Sequence, residues 1–321
     1  MSLIDILFAA FFVWVLVCFL YVILADADMT LLYYHKFGSR NELFSNQVIW
    51  ITGASSGIGE YLAYSLIKRQ AKLALSGVNI ERLRKVKNKC IELSGCPEEN
   101  VLLVPFSIEK FEEHDSHVNK VLDHFGHIDI LVNNAGFSQR ADFPGIDIEV
   151  DQKLFSVNVF GSVNLTRKVL KHFLEQKKGH VVVTSSLAGK MGAPYSSAYT
   201  GSKHALHGYF ECLRTEMIGQ NIDVTIVCPG PVFSQITDRC VTGKLGEKFD
   251  HTQKPTDRKM KTDRCSELMV SAIAHKLDEC WICIQPLLIL FYLSQYCPTV
   301  YKSILKKFFS KELARKLRQG Q

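Results

Sequence analysis

The chain has 321 residues, 47% of them hydrophobic and 22% charged, a balance that excludes a disordered protein and allows one large domain with appendages or two small ones. The formal net charge of +6 is concentrated at one end, because residues 302–318 carry seven Lys or Arg against a single Glu. The remaining body is near neutral, which excludes a broad nucleic-acid surface and leaves a basic tail.

The chain opens on the uncharged run ILFAAFFVWVLVCFLYVIL, residues 6–24. As a helix it would reach about 28 Å, close to the roughly 30 Å of a bilayer's hydrocarbon core. Residues 1–25 are therefore expected to anchor the protein in a membrane, with 26–45 as a linker. The competing reading is a cleaved signal peptide, for which Ala25-Asp26-Ala27 offers a small-residue site. The absence of a basic n-region and the length of the run count against it. Lys36 and Arg40 follow the run and nothing basic precedes it, so the positive-inside rule puts the body in the cytosol.

From residue 47 short apolar runs alternate with longer amphipathic stretches: VIWIT (48–52), KLALS (72–76), VLLVPF (101–106), IDILVNN (128–134), HVVVTS (180–185) and DVTIVCPG (223–230). Near-continuous Val and Ile without alternation, separated by helices, predict an α/β domain with a doubly wound parallel sheet covered on both faces, over 46–275. The first run enters TGASSGIG, where Gly53, Gly57 and Gly59 would turn the backbone sharply and open a helix N-terminus. Such an end binds the pyrophosphate of a dinucleotide, which makes Gly53, Ser55, Ser56, Gly57, Ile58 and Gly59 candidate cofactor-binding residues. The ribose reader expected about twenty residues on falls at Ser76-Gly77-Val78-Asn79, with neither a carboxylate nor an arginine. Arg82 and Arg84 follow, and spacing alone leaves NAD(H) and NADP(H) both open.

Further along, YTGSKHAL sets Tyr199 and Lys203 four apart, on one face of a helix. A phenol needs roughly 4 kcal/mol to move from pKa 10 to about 7, and an ammonium about 4 Å away supplies roughly that much. Tyr-x-x-x-Lys alone is common on helices. Its company, TGASSGIG, NNAG (133–136) and PGPV (229–232) in that order, resembles the short-chain dehydrogenase/reductase family over residues 46–235.

The resemblance implies a catalytic tetrad of Asn158, Ser186, Tyr199 and Lys203, with Ser186 thirteen positions before the tyrosine. It implies that Asn134, Ala135 and Gly136 line the cofactor cleft, that Tyr199 and Lys203 also touch the cofactor, and that Pro229 and Gly230 flank the nicotinamide. It favours NADP(H), without excluding NAD(H), and leaves room for a homodimer. The adenosine side departs from the family, with Val78 and Asn79 where many NADP-using members have arginine, and Ser107 for the usual aspartate. The implied reaction is hydride exchange with a carbonyl or alcohol, and the expected membrane anchor points to a lipophilic one of steroid, retinoid or similar type. The alternative is a catalytically weak binding or regulatory protein on the same fold. No metal site is expected, and Cys280-Trp-Ile-Cys283 reads as buried, inert thiols outside a redox setting. The segment 233–261 reads as a loop over the substrate cleft.

Residues 276–321 are expected to form an apolar and basic extension. In it Leu305, Phe309, Leu313 and Leu317 recur every four residues, with Lys307, Lys311 and Arg318 roughly opposite. That stripe fits either a helix lying on anionic membrane lipid or one docking on the body. The sequon at Asn164 falls within a predicted helix and is not read as glycosylated. The expected location is a membrane, that of the endoplasmic reticulum, with a single N-terminal span.

Overall fold

The computed structural model describes residues 3–38, 44–236, 240–247, 249, 253–308 and 310. Seven parallel strands form its centre: β1 (Val48–Ile51), β2 (Lys72–Gly77), β3 (Val101–Pro105), β4 (Ile130–Asn133), β5 (Gly179–Thr184), β6 (Ile222–Pro229) and β7 (Glu279–Ile282). Their order is β3-β2-β1-β4-β5-β6-β7, so the winding reverses between β1 and β4. The crossovers are α3 (Gly57–Ile67), α4 (Ile80–Ser94), α5 (His114–Phe125), α6 (Ile148–Phe155), α7 (Ser162–Gln176), α8 (Ser197–Glu216) and α9 (Thr262–Ala274). Helices on both faces explain the unbroken apolar strands: every residue of β1, and Val181 to Val183 of β5, is sealed from solvent. The expected doubly wound architecture is what forms.

The sheet also takes a strand from the stretch assigned to the extension. In β7 Cys280 and Ile282 are buried while Glu279 and Trp281 are half-exposed, a four-residue alternation too short and too polar to stand out as an apolar run. Cys280 and Cys283 are buried, and burial pushes the Cys283 thiol up to about 12. The pair does lie between a strand and a helix, a setting the sequence did not reveal.

The stretch after the N-terminal run is docked rather than loose. Ala27 makes an antiparallel bridge to Ile282, and the Asp26 carbonyl accepts from Cys283 N at 2.9 Å. The Asp26 carboxylate pairs with Arg264 at 2.7 and 3.0 Å. Asp28 accepts from Leu31 N and Trp281 N at 2.9 and 2.7 Å, capping α2 (Met29–Phe37) and fastening it to the sheet edge.

The N-terminal run is α1 (Leu3–Leu24). Among the described residues no helix is long and apolar enough to cross a membrane. The side chains of α1 at 3, 4, 14, 17–19 and 21 lie outside the description. Its described side chains are exposed, Phe8 and Phe12 among them. After β7, α10 (Leu287–Tyr296) buries Leu288 and Phe291, the latter edge-on to Trp281 at 4.7 Å, whereas α11 (Pro298–Phe308) buries nothing. Of the C-terminal stripe, Leu305 and Lys307 lie in α11; Phe309, Lys311, Leu313, Leu317 and Arg318 lie outside the described residues.

Candidate active site

The carboxyl ends of β1, β4, β5 and β6 converge where the winding reverses, the place where open parallel sheets bind ligands. At β1, Gly53 has φ +65°, and a Cβ there would meet the Ala135 backbone at 2.8 Å, so only glycine fits between the two strand ends. Asn134 clamps this turn: its Nδ2 donates to Thr52 O and Gly53 O at 3.1 and 3.3 Å. Thr52 Oγ1 accepts from Asn134 N and Ala135 N at 3.0 and 3.1 Å.

Ser55 is buried against Gly77, whose added Cβ would lie 3.2 Å from its Oγ. Ser56 is extended at the N-terminus of α3 and makes no side-chain capping bond, leaving the N–H groups of the Gly57, Ile58, Gly59 turn to face the cleft. Those open donors, the dipole behind them and the glycine approach fit a dinucleotide's phosphates. At the adenosine end Ser76 is spent on Trp50 Nε1 at 2.8 Å and Asn79 caps α4 through Arg82 N at 2.9 Å. Arg84 is paired with Glu81, while Arg82 reaches Gln235 Oε1 at 2.7 Å.

On α8 the four-residue spacing does bring Tyr199 and Lys203 together, the Lys203 Nζ standing 5.7 Å from the tyrosine ring centre. Lys203 is 4% exposed and donates to Thr184 O at 2.7 Å, leaving two of its three N–H bonds without an acceptor among the described residues. Gly136 lies beside it; a Cβ there would be 3.0 Å from Asn158 Oδ1 and 3.8 Å from Lys203 Nζ.

Asn158 sits on a π-helical turn, Ser156–Gly161, between α6 and α7, the kind of bulge that re-aims one side chain. Its amide exchanges hydrogen bonds with the Phe137 backbone, both 3.0 Å, and donates to Ser202 Oγ at 3.0 Å. Ser202 in turn donates to Tyr199 O at 2.8 Å. Ser202 thus ties the asparagine to the helix that carries the tyrosine, a link that the spacing of Tyr199 and Lys203 does not reveal.

Ser186, just past β5, accepts from Ala188 N at 3.1 Å and donates to Pro229 O at 3.2 Å. The 185–189 stretch lies against α8, Ser185 Oγ donating to Lys203 O at 3.3 Å. Gly230 N donates to Ile282 O at 2.8 Å, and a Cβ at 230 would strike Cys283 Sγ at 2.5 Å, so β7 sets the floor beneath Pro229 and Gly230.

His207, Cys228 and Glu279 bring donor atoms within 4.8 Å of one another, one turn beyond Lys203. Lys190 already lies 2.9 and 3.0 Å from the two Glu279 oxygens, so the carboxylate has its cation. The cluster reads as a network pinning α8 to β6 and β7.

Burial pulls Lys203 down from 10.5 to about 8. An unfolded lysine holds its proton to about 10.4, so between those values the unfolded chain binds more protons and the fold gains stability as pH rises. The stability of the wild type relative to Lys203→Met should therefore rise by about 3 kcal/mol between about pH 8 and pH 10, whatever the offset left by the lost bond to Thr184 O. Urea unfolding of both proteins across that range checks it; a gap independent of pH would contradict the buried charge.

The short chain dehydrogenase family matches residues 47–244. Dehydrogenase/reductase SDR family member 7 of Homo sapiens is 41% identical over 277 residues, covering 86% of this chain and 81% of the relative. A Drosophila melanogaster relative, dehydrogenase/reductase SDR family protein 7-like, is 32% identical over 268 residues, 84% of this chain and 82% of its own. Among solved structures, a short chain dehydrogenase/reductase from Burkholderia phymatum in complex with NAD has a TM-score of 0.68 at 23% identity, over 80% of this chain and 95% of that one. Levodione reductase has a TM-score of 0.62, also at 23% identity, over 72% of this chain and 91% of its own. With the family match over residues 47–244 and 41% identity across most of both chains, the chain belongs to the short-chain dehydrogenase/reductase family of oxidoreductases.

Proposed function

We propose that the protein is a membrane-anchored oxidoreductase that interconverts a lipophilic carbonyl compound and its alcohol, with NADP(H) as the preferred cofactor. The observation that carries this is Lys203: a buried ammonium beneath the Tyr199 ring, next to Gly136 and Asn158, with donors to spare. When bound, the nicotinamide supplies the hydride for reduction and takes it up in oxidation. In the reducing direction Tyr199 gives its phenolic proton to the carbonyl oxygen as the alcohol forms. Ser186 turns its O–H from Pro229 O, a long bond at 3.2 Å, onto the same oxygen and stabilises the charge growing there. Lys203 stabilises the phenolate left behind and offers its spare N–H bonds to the cofactor's ribose. Asn158 holds the Phe137 loop and the Tyr199 helix in register.

NADP(H) is favoured because no carboxylate occupies 76–79 to repel a ribose phosphate, while Arg82 stands on the first turn of α4. The anchor is supported by α1, which carries one charge in 22 residues, and by exposed apolar side chains that water solvates poorly. The docking of 26–28 on β7 leaves almost no slack after α1, so an anchored α1 would hold the catalytic body close to the bilayer. A substrate dissolved in lipid fits that placement. The full-length chain should stay with membranes after alkaline extraction and there oxidise NADPH, in preference to NADH, in the presence of steroid or retinoid carbonyls. Release by alkali would end the anchor, and an NADH preference would end the role given to Arg82.

A further inference from the structure

The loop after β4 is held from two sides. Arg140 N donates to Val241 O at 2.9 Å and Val241 N to Ser138 O at 3.1 Å. Ala141 N donates to Tyr195 O, also at 3.1 Å. Within this frame one guanidinium nitrogen of Arg140 takes all the anchoring: Nη1 lies 2.7 Å from Ser138 Oγ, 2.8 Å from Gln139 O and 2.7 Å from Ser196 Oγ. The plane of the guanidinium is therefore fixed.

The opposite edge is unused. Nε is buried without an acceptor, and among the described residues no hydrogen bond or ion pair reaches Nη2. That Nε and Nη2 edge presents two parallel N–H bonds, the fork that grips a carboxylate. No described Asp or Glu pairs with it, unlike Arg69, Arg214 and Arg264. The preceding residue is also buried: Gln139 is 0% exposed, and among the described residues neither its Oε1 nor its Nε2 has a partner. An unmade bond on the buried Nε–H is costly, and a ligand oxygen that accepts it relieves the cost.

Arg140 borders the chemistry. Ser196, which Arg140 holds, is the N-cap of α8, three positions before Tyr199. Tyr199 packs with Phe137, Ile146 and Val241 on the small apolar cluster of Val150, Leu154 and Ala198. An apolar wall, a proton donor and an unpaired cation thus share one corner.

We propose that Arg140, backed by Gln139, is a specificity-determining residue that receives a carboxylate carried elsewhere on the substrate, so that the preferred substrates are apolar oxo-acids, or hydroxy acids in the reverse direction. This rests on the reading of Tyr199 as the proton donor. Reduction is balanced as above: the ketone carbon takes the hydride, its oxygen takes the Tyr199 proton, and the carboxylate passes through unchanged.

The test compares benzoylpropionate with its methyl ester, using the full-length chain in detergent with NADPH. Wild type should favour the acid in kcat/KM. Arg140→Gln should raise KM for the acid at least tenfold while leaving the ester within about threefold, and Arg140→Lys should recover part of the loss. An unchanged acid-to-ester ratio in Arg140→Gln, with normal melting and NADPH binding, would overturn the subsite. Since that variant also loses the Nη1 anchor, wild-type binding provides a second arm. Phenylbutyrate, which has no ketone, should raise the melting temperature of the NADPH complex where phenylbutyramide does not; equal effects of the two would also overturn it. Carboxylate-dependent binding without turnover of acid or ester would instead sink the reading of Tyr199 and leave the subsite standing.

Discussion

Tyr199→Phe is expected to lose about a thousandfold in kcat while melting and binding NADPH as the wild type does. The substitution removes one oxygen from a ring that otherwise stays in place, packed with Phe137, Ile146 and Val241. Lys203 keeps its bond to Thr184 O, and the chain from Asn158 through Ser202 ends on the Tyr199 backbone carbonyl rather than its hydroxyl. The loss should therefore fall on kcat with little change in KM, the pattern of an interaction made only in the transition state. Steady-state rates on a reactive ketone, with melting curves alongside, check it. Near-normal turnover would move the proton path to another group.

Gly59→Ala should act on the other half of the site. A Cβ at 59 would stand 2.5 Å from Gly53 O and 2.5 Å from Asn134 Nδ2, the two groups that the Asn134 clamp joins. The first is backbone and the second is already bonded, so the turn itself must shift. That shift displaces the open N–H groups at the head of α3. The cofactor dissociation constant should rise about 30-fold, roughly 2 kcal/mol, with a melting temperature lower by a few degrees. Fluorescence titration with NADPH measures the first and calorimetry the second. Unchanged affinity would mean that the glycine turn does not cradle the phosphates.

Six of the seven strands were legible because buried parallel strands are written as apolar runs, VIWI and VVV being the plainest. The seventh was not, since Glu279 and Trp281 interrupt it and its burial depends on β6 and the 26–28 bridge, neither adjacent in sequence. The same long-range docking turned an expected linker into a packed edge. That Tyr199 and Lys203 share a face was legible from helical spacing, because four residues fix a face; that they form a site needed the motifs around them. Asn158 and Ser186 needed the family resemblance, for nothing local in VNVFGS or TSSLAG says which polar side chain turns towards α8. Ser202 was hidden because no spacing or motif marks it. Arg140 and Gln139 were silent for a different reason: a buried cation declares itself only when its partners can be counted in three dimensions. The Asn164 sequon lies on α7 as expected, its amide engaged by Phe111 O at 3.3 Å and His114 Nδ1 at 3.0 Å.

The most direct measurement mixes the full-length chain with a lipophilic ketone and NADPH deuterated at the reactive carbon of the nicotinamide, then locates the label by mass spectrometry. Deuterium on the carbinol carbon of the product alcohol, formed by the wild type and lost with Tyr199→Phe, is the expected result. Saturable NADPH binding with no ketone acquiring the label would contradict it and leave a binding or regulatory protein built on an enzyme's fold.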